Sequence, residues 1–196
     1  THHGALDLAA LGSVPNLVIA TPMNESELRN MMYTATQAER PVMIRYPRGR
    51  GEGAEWREQP FTALEIGRGR RLSEGTQVAV VSFGTAGNFA AKAIARAADE
   101  GISVAHYDMR FAKPLDEELL HEIGKKFQRV ITVEDGVLRG GVGEAIVKFF
   151  NDNGYSPKVK NLGIEDRFIE HGTPAQLYAL CGYDADGIEK SINSML

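Results

Sequence analysis

The sequence predicts an α/β chain with mainly parallel sheets, covered on both faces by helices. Three observations carry this expectation. Short apolar runs such as Leu17-Val18-Ile19-Ala20, Val78-Ala79-Val80-Val81 and Val130-Ile131-Thr132-Val133 have the unbroken hydrophobicity of strands buried on both faces. Between such runs lie stretches of about 10–15 residues with helical spacing, the alternation that builds parallel strands through crossover helices. Hydrophobic residues make up 43% of the 196 positions, enough for a real core.

In chain order, residues 5–11 form a short apolar helix closed by Gly12 and Pro15, and 17–20 a buried strand ending at Thr21-Pro22. Asn24, with Glu27 three residues later, is close to a capping box and opens a helix. Leu28, Met31, Met32 and Ala35 fall on one face of it, and Pro41 marks its far end. A second apolar strand covers 41–46 and is stopped by Pro47. Residues 48–60, rich in Gly and charge and without hydrophobic period, predict an exposed connection between two domains, with the boundary near 49–62. Residues 63–72 read as an extended lead-in able to pair as an edge strand.

The rest is a cleaner repeat. Strands are expected at 78–83, 102–107, 130–133 and 159–164, with Gly84 as the exit turn of the first. Helices are expected at 88–100, 115–127 and 143–151, and two short ones near 174–180 and 185–195. The division is therefore 1–60 and 61–196. The second part is long enough to fold alone; the first, with two strands, reads as the tail of a larger domain.

A net charge of −4, from 22 Lys plus Arg against 26 Asp plus Glu, gives no broad electrostatic reason to bind nucleic acid or an anionic membrane. The single Cys181 forms no internal disulfide and has no nucleophilic context, so packing is its expected use. No apolar run reaches the ~18 residues that span a bilayer, and no signal or transit peptide is visible.

Three motifs could carry chemistry. In Thr1-His2-His3-Gly4 the adjacent imidazoles point apart in any regular element, so they do not make a metal pair. A surface or capping histidine and an imidazole that moves a proton or binds an oxyanion both stay open. Arg45-Tyr46-Pro47-Arg48-Gly49-Arg50 follows a buried strand, where ligands of open α/β sheets collect. Its guanidinium forks suit phosphate or carboxylate, while a solvated basic turn, or Arg45 in an interdomain ion pair, is the structural alternative. Arg139-Gly140-Gly141-Val142-Gly143 opens a helix but lacks the Lys-Ser/Thr of a P-loop, so close helix packing is favoured over phosphate.

Glu134-Asp135 before that turn can cap it or meet basic residues across an interface. Among the remaining histidines, His106 is expected to be buried and satisfied, His121 solvated beside Glu118 and Glu122, and His171 a turn or interface residue. Lys113-Pro114-Leu115-Asp116 reads as a helix start.

Taken together these stretches resemble a known family. THHGALDLAALGSVPNLVIATPMNESELRNMMYT with RYPRG is similar to the pyrimidine-binding domain of the 1-deoxy-D-xylulose-5-phosphate synthases, which are transketolase-like thiamine-diphosphate enzymes. VSFGTAGNFAAKAI, YDMRFAKPLDEELL, VEDGVLRGGVGEAI and DRFIEHGTPAQLYALCGYDADGI resemble their carboxy-terminal domain. The resemblance spans essentially the whole chain. It implies the tail of a parallel-sheet pyrimidine-binding domain followed by a transketolase-like carboxy-terminal α/β domain.

The reaction implied is the thiamine-diphosphate-dependent condensation of pyruvate with D-glyceraldehyde 3-phosphate, with loss of CO2, in isoprenoid, thiamine and pyridoxal precursor synthesis. His2 matches the active-site histidine of the family's T-H-x-G-A motif, and Arg48 the second arginine of R-Y-P-R-G, which helps hold the acceptor phosphate. Thiamine diphosphate and Mg²⁺ are implied, with no cofactor- or metal-binding residue assigned to this chain. The family's Asp before Thr1, its thiazolium-activating Glu and its G-D-G…N domain are not in the sequence. The expectation is therefore a carboxy-terminal part of a longer polypeptide, inactive without its amino-terminal portion. A homodimer is implied, in a bacterial cytoplasm or a plastid. The rival readings are a piece of transketolase or of a 2-oxoacid dehydrogenase β subunit, or a non-catalytic dimerisation module.

Overall fold

A computed structural model of the chain describes residues 4–49, 51–53 and 55–196. A 3-10 turn at Gly4–Leu6 leads into α1 (Asp7–Gly12), then β1 (Val18–Ala20), α2 (Glu25–Gln37) and β2 (Val42–Ile44). Then come β3 (Arg70–Ser73), β4 (Val78–Ser82), α3 (Ala86–Asp99), β5 (Val104–Asp108) and β6 (Phe111–Lys113). The chain continues through α4 (Glu117–Lys126), β7 (Arg129–Val137), α5 (Val142–Asp152), β8 (Lys158–Ile164), α6 (Pro174–Cys181) and α7 (Ala185–Met195).

The larger sheet has the order β3-β5-β4-β7-β8, parallel except for β3, which pairs antiparallel with β5 at one edge as the lead-in predicts. Side chains of β4 alternate between two cores. Ala79 and Val81 point to one that holds Leu120 and Ile123 of α4 with Ile146 and Phe150 of α5. Val78 and Val80 point to the other, with Ala90 and Ala93 of α3 and Ile188 and Ile192 of α7. The run is apolar throughout because each face has its own helical cover.

The smaller sheet has the order β2-β1-β6. β1 and β2 are parallel, and β6 reaches back from the second half of the chain to pair antiparallel with β1, Ala20 opposite Phe111. The sequence predicts two strands here; the third is three residues long, too short to leave a period of its own. Leu8 and Ile19 belong to the same core as Val81, Tyr107 and Phe127, so the two halves share one apolar interior.

Helix α2 is turned from the expected face. Asn24 caps it as predicted, accepting from the Glu27 N–H at 3.0 Å, but the inward stripe is Glu27, Met31 and Thr34, and Met32 is 57% exposed. The cause is electrostatic: Glu27 is buried because Arg110 grips its carboxylate with two bonds of 2.8 and 2.9 Å, and Arg70 adds a third contact at 3.1 Å. Such a pairing offsets much of the cost of taking a carboxylate out of water.

Residues 51–53 and 55–64, predicted as an exposed connection, are largely exposed and carry no helix or strand, yet they are strapped along α2. The Arg29 guanidinium donates to the Trp56 and Gln59 carbonyls, and the Asn30 and Thr34 side chains accept from the N–H groups of Thr62 and Leu64. Among the described residues no helix is long and apolar enough to cross a membrane.

Candidate functional site

The parallel pair β1 and β2 ends on one side of the molecule, and the loops leaving both strands open onto a cleft of about 460 Å³. Met23 and Asn24 come from the β1 exit, Tyr46 and Arg48 from the β2 exit, Phe89 from α3 and Tyr178 from α6. The cleft thus lies beyond the carboxyl ends of parallel strands, between the two halves of the chain, where open α/β sheets bind ligands. Its walls are mostly apolar, and the side chains of Asn24, Glu25, Arg48, Glu52 and Thr85 supply its polar groups. Asn88 steadies the β1 exit by donating to the Met23 carbonyl at 2.8 Å.

Arg48 is exposed at this cleft and makes no hydrogen bond or ion pair among the described residues, so its fork is available. Arg45, three residues earlier, is used differently. Its Nη2 donates to Asp135 Oδ2 at 3.2 Å and to the Gly4 carbonyl at 3.3 Å, which is the ion pair between halves that the sequence allows. His2, His3 and Arg50 lie outside the described residues.

The Gly-rich turn between β7 and α5 is a packing device. The Glu134 carboxylate accepts from the Val142 and Gly143 N–H groups at 3.2 and 2.9 Å, and Glu144 accepts from the Gly140 N–H at 2.8 Å. The chain's own carboxylates therefore fill the position a phosphate would take. A Cβ at Gly141 would stand 2.4 Å from the Val137 carbonyl oxygen, and one at Gly143 2.7 Å from Thr132 Oγ1, so only glycine lets α5 approach β7 this closely. Burial pushes the Glu134 carboxyl up to about 7, against the pull of those two N–H groups.

His106 is buried as expected, its Nε2 2.9 Å from Ser82 Oγ, and burial with the nearby Arg70 charge lowers it to about 4. It stays neutral at ordinary pH. His121 differs from the expectation of a solvated ring. It packs edge-on between Phe149 and Tyr155, and its Nδ1 is 3.0 Å from the Tyr155 hydroxyl, because α4 and α5 lie side by side. His171 is exposed before α6, and Cys181, partly buried, has its thiol pushed up by burial, the opposite of an activated nucleophile.

Among the described residues no group of three or more His, Cys, Asp or Glu side chains could hold a metal ion. The charged side chains that line the cleft are Arg48 and the carboxylates of Glu25 and Glu52. Reasoning from sequence misses Phe89 and Tyr178 as cleft walls, since their helices start far from the Arg motif. It also misses Tyr183, whose hydroxyl donates to Asp135 Oδ1 at 2.7 Å.

An α/β chain with two sheets and a cleft at the exits of two parallel strands has the architecture of an open α/β ligand-binding protein. The transketolase pyrimidine-binding domain model matches residues 1–52 and the transketolase C-terminal domain model residues 67–188, and the chain belongs to the transketolase family. Within it, the chain is 55% identical over 194 residues to 1-deoxy-D-xylulose-5-phosphate synthase of Bacteroides fragilis, covering 98% of this chain and 30% of that protein. It is 54% identical over 193 residues to the synthase of Parabacteroides distasonis, with the same coverage, and 42% identical over 197 residues to that of Syntrophus aciditrophicus, covering 100% of this chain and 30% of that protein. A solved structure described as a split gene transketolase, inactive β4 tetramer, superposes with a TM-score of 0.83 at 29% identity, over 97% of this chain and 60% of that one. The chain spans about 30% of the length of the curated relatives it matches.

Proposed function

We propose that this chain supplies the acceptor side of a 1-deoxy-D-xylulose-5-phosphate synthase, condensing pyruvate with D-glyceraldehyde 3-phosphate and releasing CO2. The observation that carries the reading is Arg48, unpaired among the described residues, at an apolar cleft beyond the carboxyl ends of β1 and β2. A guanidinium there binds a phosphate with two parallel charge-assisted bonds and leaves the aldehyde end directed inward. Thr85 and Pro174, at the amino-terminal ends of α3 and α6, line the same cleft, and helix starts carry partial positive charge that favours the same anion. Identity above 50% to synthases of this name over almost the whole chain supports the choice of substrate.

His2, by its match to T-H-x-G-A, is assigned to proton handling at the reacting carbonyl or acceptor. Thiamine diphosphate, when bound, supplies the electron sink for decarboxylation. It and Mg²⁺ belong, on this reading, to the portion of the enzyme that this chain does not span, and the chain works only with that portion. We take 1–60 as the end of the pyrimidine-binding domain with its linker and 61–196 as the carboxy-terminal domain, working as a homodimer in a bacterial cytoplasm.

In the longer enzyme, Arg48→Ala is expected to raise KM for D-glyceraldehyde 3-phosphate about 10- to 100-fold, the value of a charged bond to phosphate. Decarboxylation of pyruvate alone should change far less. An unchanged acceptor KM removes Arg48 from the site. Formation of sedoheptulose phosphate instead of deoxyxylulose phosphate would move the chain to another transketolase-type activity.

A further inference from the structure

The loop that presents Arg48 has no regular structure from Arg45 to Gly49, and the Arg48 side chain has no partner of its own among the described residues. Its direction is therefore set by whatever fixes the backbone. At the start of the loop the Arg45 N–H closes onto the Ala20 carbonyl at 2.9 Å, and the Arg45 guanidinium reaches across to Asp135. Asp135 lies near the end of β7, past the last pair with β4 at Val133 and within the register shift between Val133 and Val137, and its other oxygen is held by the Tyr183 hydroxyl. Tyr183 is buried at the corner between α6 and α7, with its ring 5.4 Å from that of Tyr178, a wall of the cleft.

We propose that Asp135 and Tyr183 are positioning residues for the phosphorylated acceptor, fixing through Arg45 the loop on which Arg48 stands. This rests on the reading of Arg48 as the phosphate ligand. The Arg45 and Asp135 side chains are 16% and 19% exposed, so the pair is shielded from the screening that makes surface ion pairs weak. One end of the strut stands on β7, a strand flanked by β4 and β8, and the other on a buried ring. Burial and the Asp135 charge both push the Tyr183 phenol up, so it remains a donor across the working pH range.

The test uses the longer enzyme with Tyr183→Phe, Asp135→Asn and Arg48→Ala, singly and combined, and two acceptors: D-glyceraldehyde 3-phosphate and unphosphorylated D-glyceraldehyde. Tyr183→Phe and Asp135→Asn should each raise KM for the phosphorylated acceptor about 3- to 10-fold, with kcat within about twofold. KM for D-glyceraldehyde should not move, and neither change should add to Arg48→Ala, since both act through that residue. Equal losses on both acceptors, full additivity with Arg48→Ala, or no effect while Arg48→Ala is strongly impaired would each overturn the proposal. An unimpaired Arg48→Ala enzyme would instead refute the phosphate reading, and this inference with it. Should Asp135→Asn fail to fold, Tyr183→Phe, which removes a single oxygen, decides the matter alone.

Discussion

At the residue scale, two buried groups set opposite pH dependences. Glu134 keeps its proton to about pH 7 in the native state, while the unfolded carboxyl releases it near 4.5. The native state holds the extra proton in that window, so stability falls as pH rises through it. His106, lowered to about 4 from 6.5, does the reverse: the unfolded state holds the proton, and stability rises between those values. The two offset each other in wild type and separate on mutation. Glu134→Gln keeps an acceptor for only one of the Val142 and Gly143 N–H groups, a cost that does not vary with pH, and its stability relative to wild type should grow by roughly 2–3 kcal/mol from about pH 5 to about pH 8, read from urea midpoints. A constant difference across that range would mean that Glu134 titrates normally. That Glu134 caps the turn is legible in the sequence, since the partners are eight and nine residues apart; that it is fully buried depends on packing of the amino-terminal segment above it.

At the element scale, the helix caps separate a purely local role from a tertiary one. Asp184 caps α7 through the Gly187 N–H, and its loss by Asp184→Ala should cost about 1 kcal/mol. Asp116 caps α4 through the Leu119 N–H and, in addition, accepts from the Gly69 N–H at 2.9 Å and meets Arg68 at 3.5 Å. Asp116→Ala leaves the Gly69 N–H without that partner and should cost about 2–3 kcal/mol, a larger drop in thermal midpoint than for Asp184→Ala. Equal drops would reduce Asp116 to an ordinary cap. Caps and most helix and strand positions are readable from sequence because their chemistry lies within four residues. The face of α2 is not, because Glu27 turns inward for Arg110, 83 positions away. His121 is misread for the same reason: Tyr155, which holds it, is 34 residues on.

At the scale of the molecule, the shared core and the ion cluster of Glu27, Arg110, Arg70 and Asp108 join the two halves. Calorimetry should give one cooperative transition instead of two. Glu27→Gln, which leaves the partly buried guanidinium groups of Arg110 and Arg70 undercompensated, should lower its midpoint by the equivalent of about 2 kcal/mol. Two resolved transitions in wild type would show that the halves melt independently. The alternation of strands and helices gives the architecture of the larger sheet directly. That Arg48 follows a strand in a charged motif is legible in the sequence, but the cleft it lines is not, since the far wall comes from α3 and α6.

The crossing of β6 into the smaller sheet bears on how such a chain can be divided. The stretch between β2 and β3, which reads as the natural place to cut, would separate β1 from the strand that covers its open side. The backbone of Ile19 and Ala20 would then face solvent along an apolar edge, ready to recruit a strand from another molecule. Polypeptides ended there should aggregate unless supplied with the remainder, and co-expressing the two pieces should restore the missing border in trans.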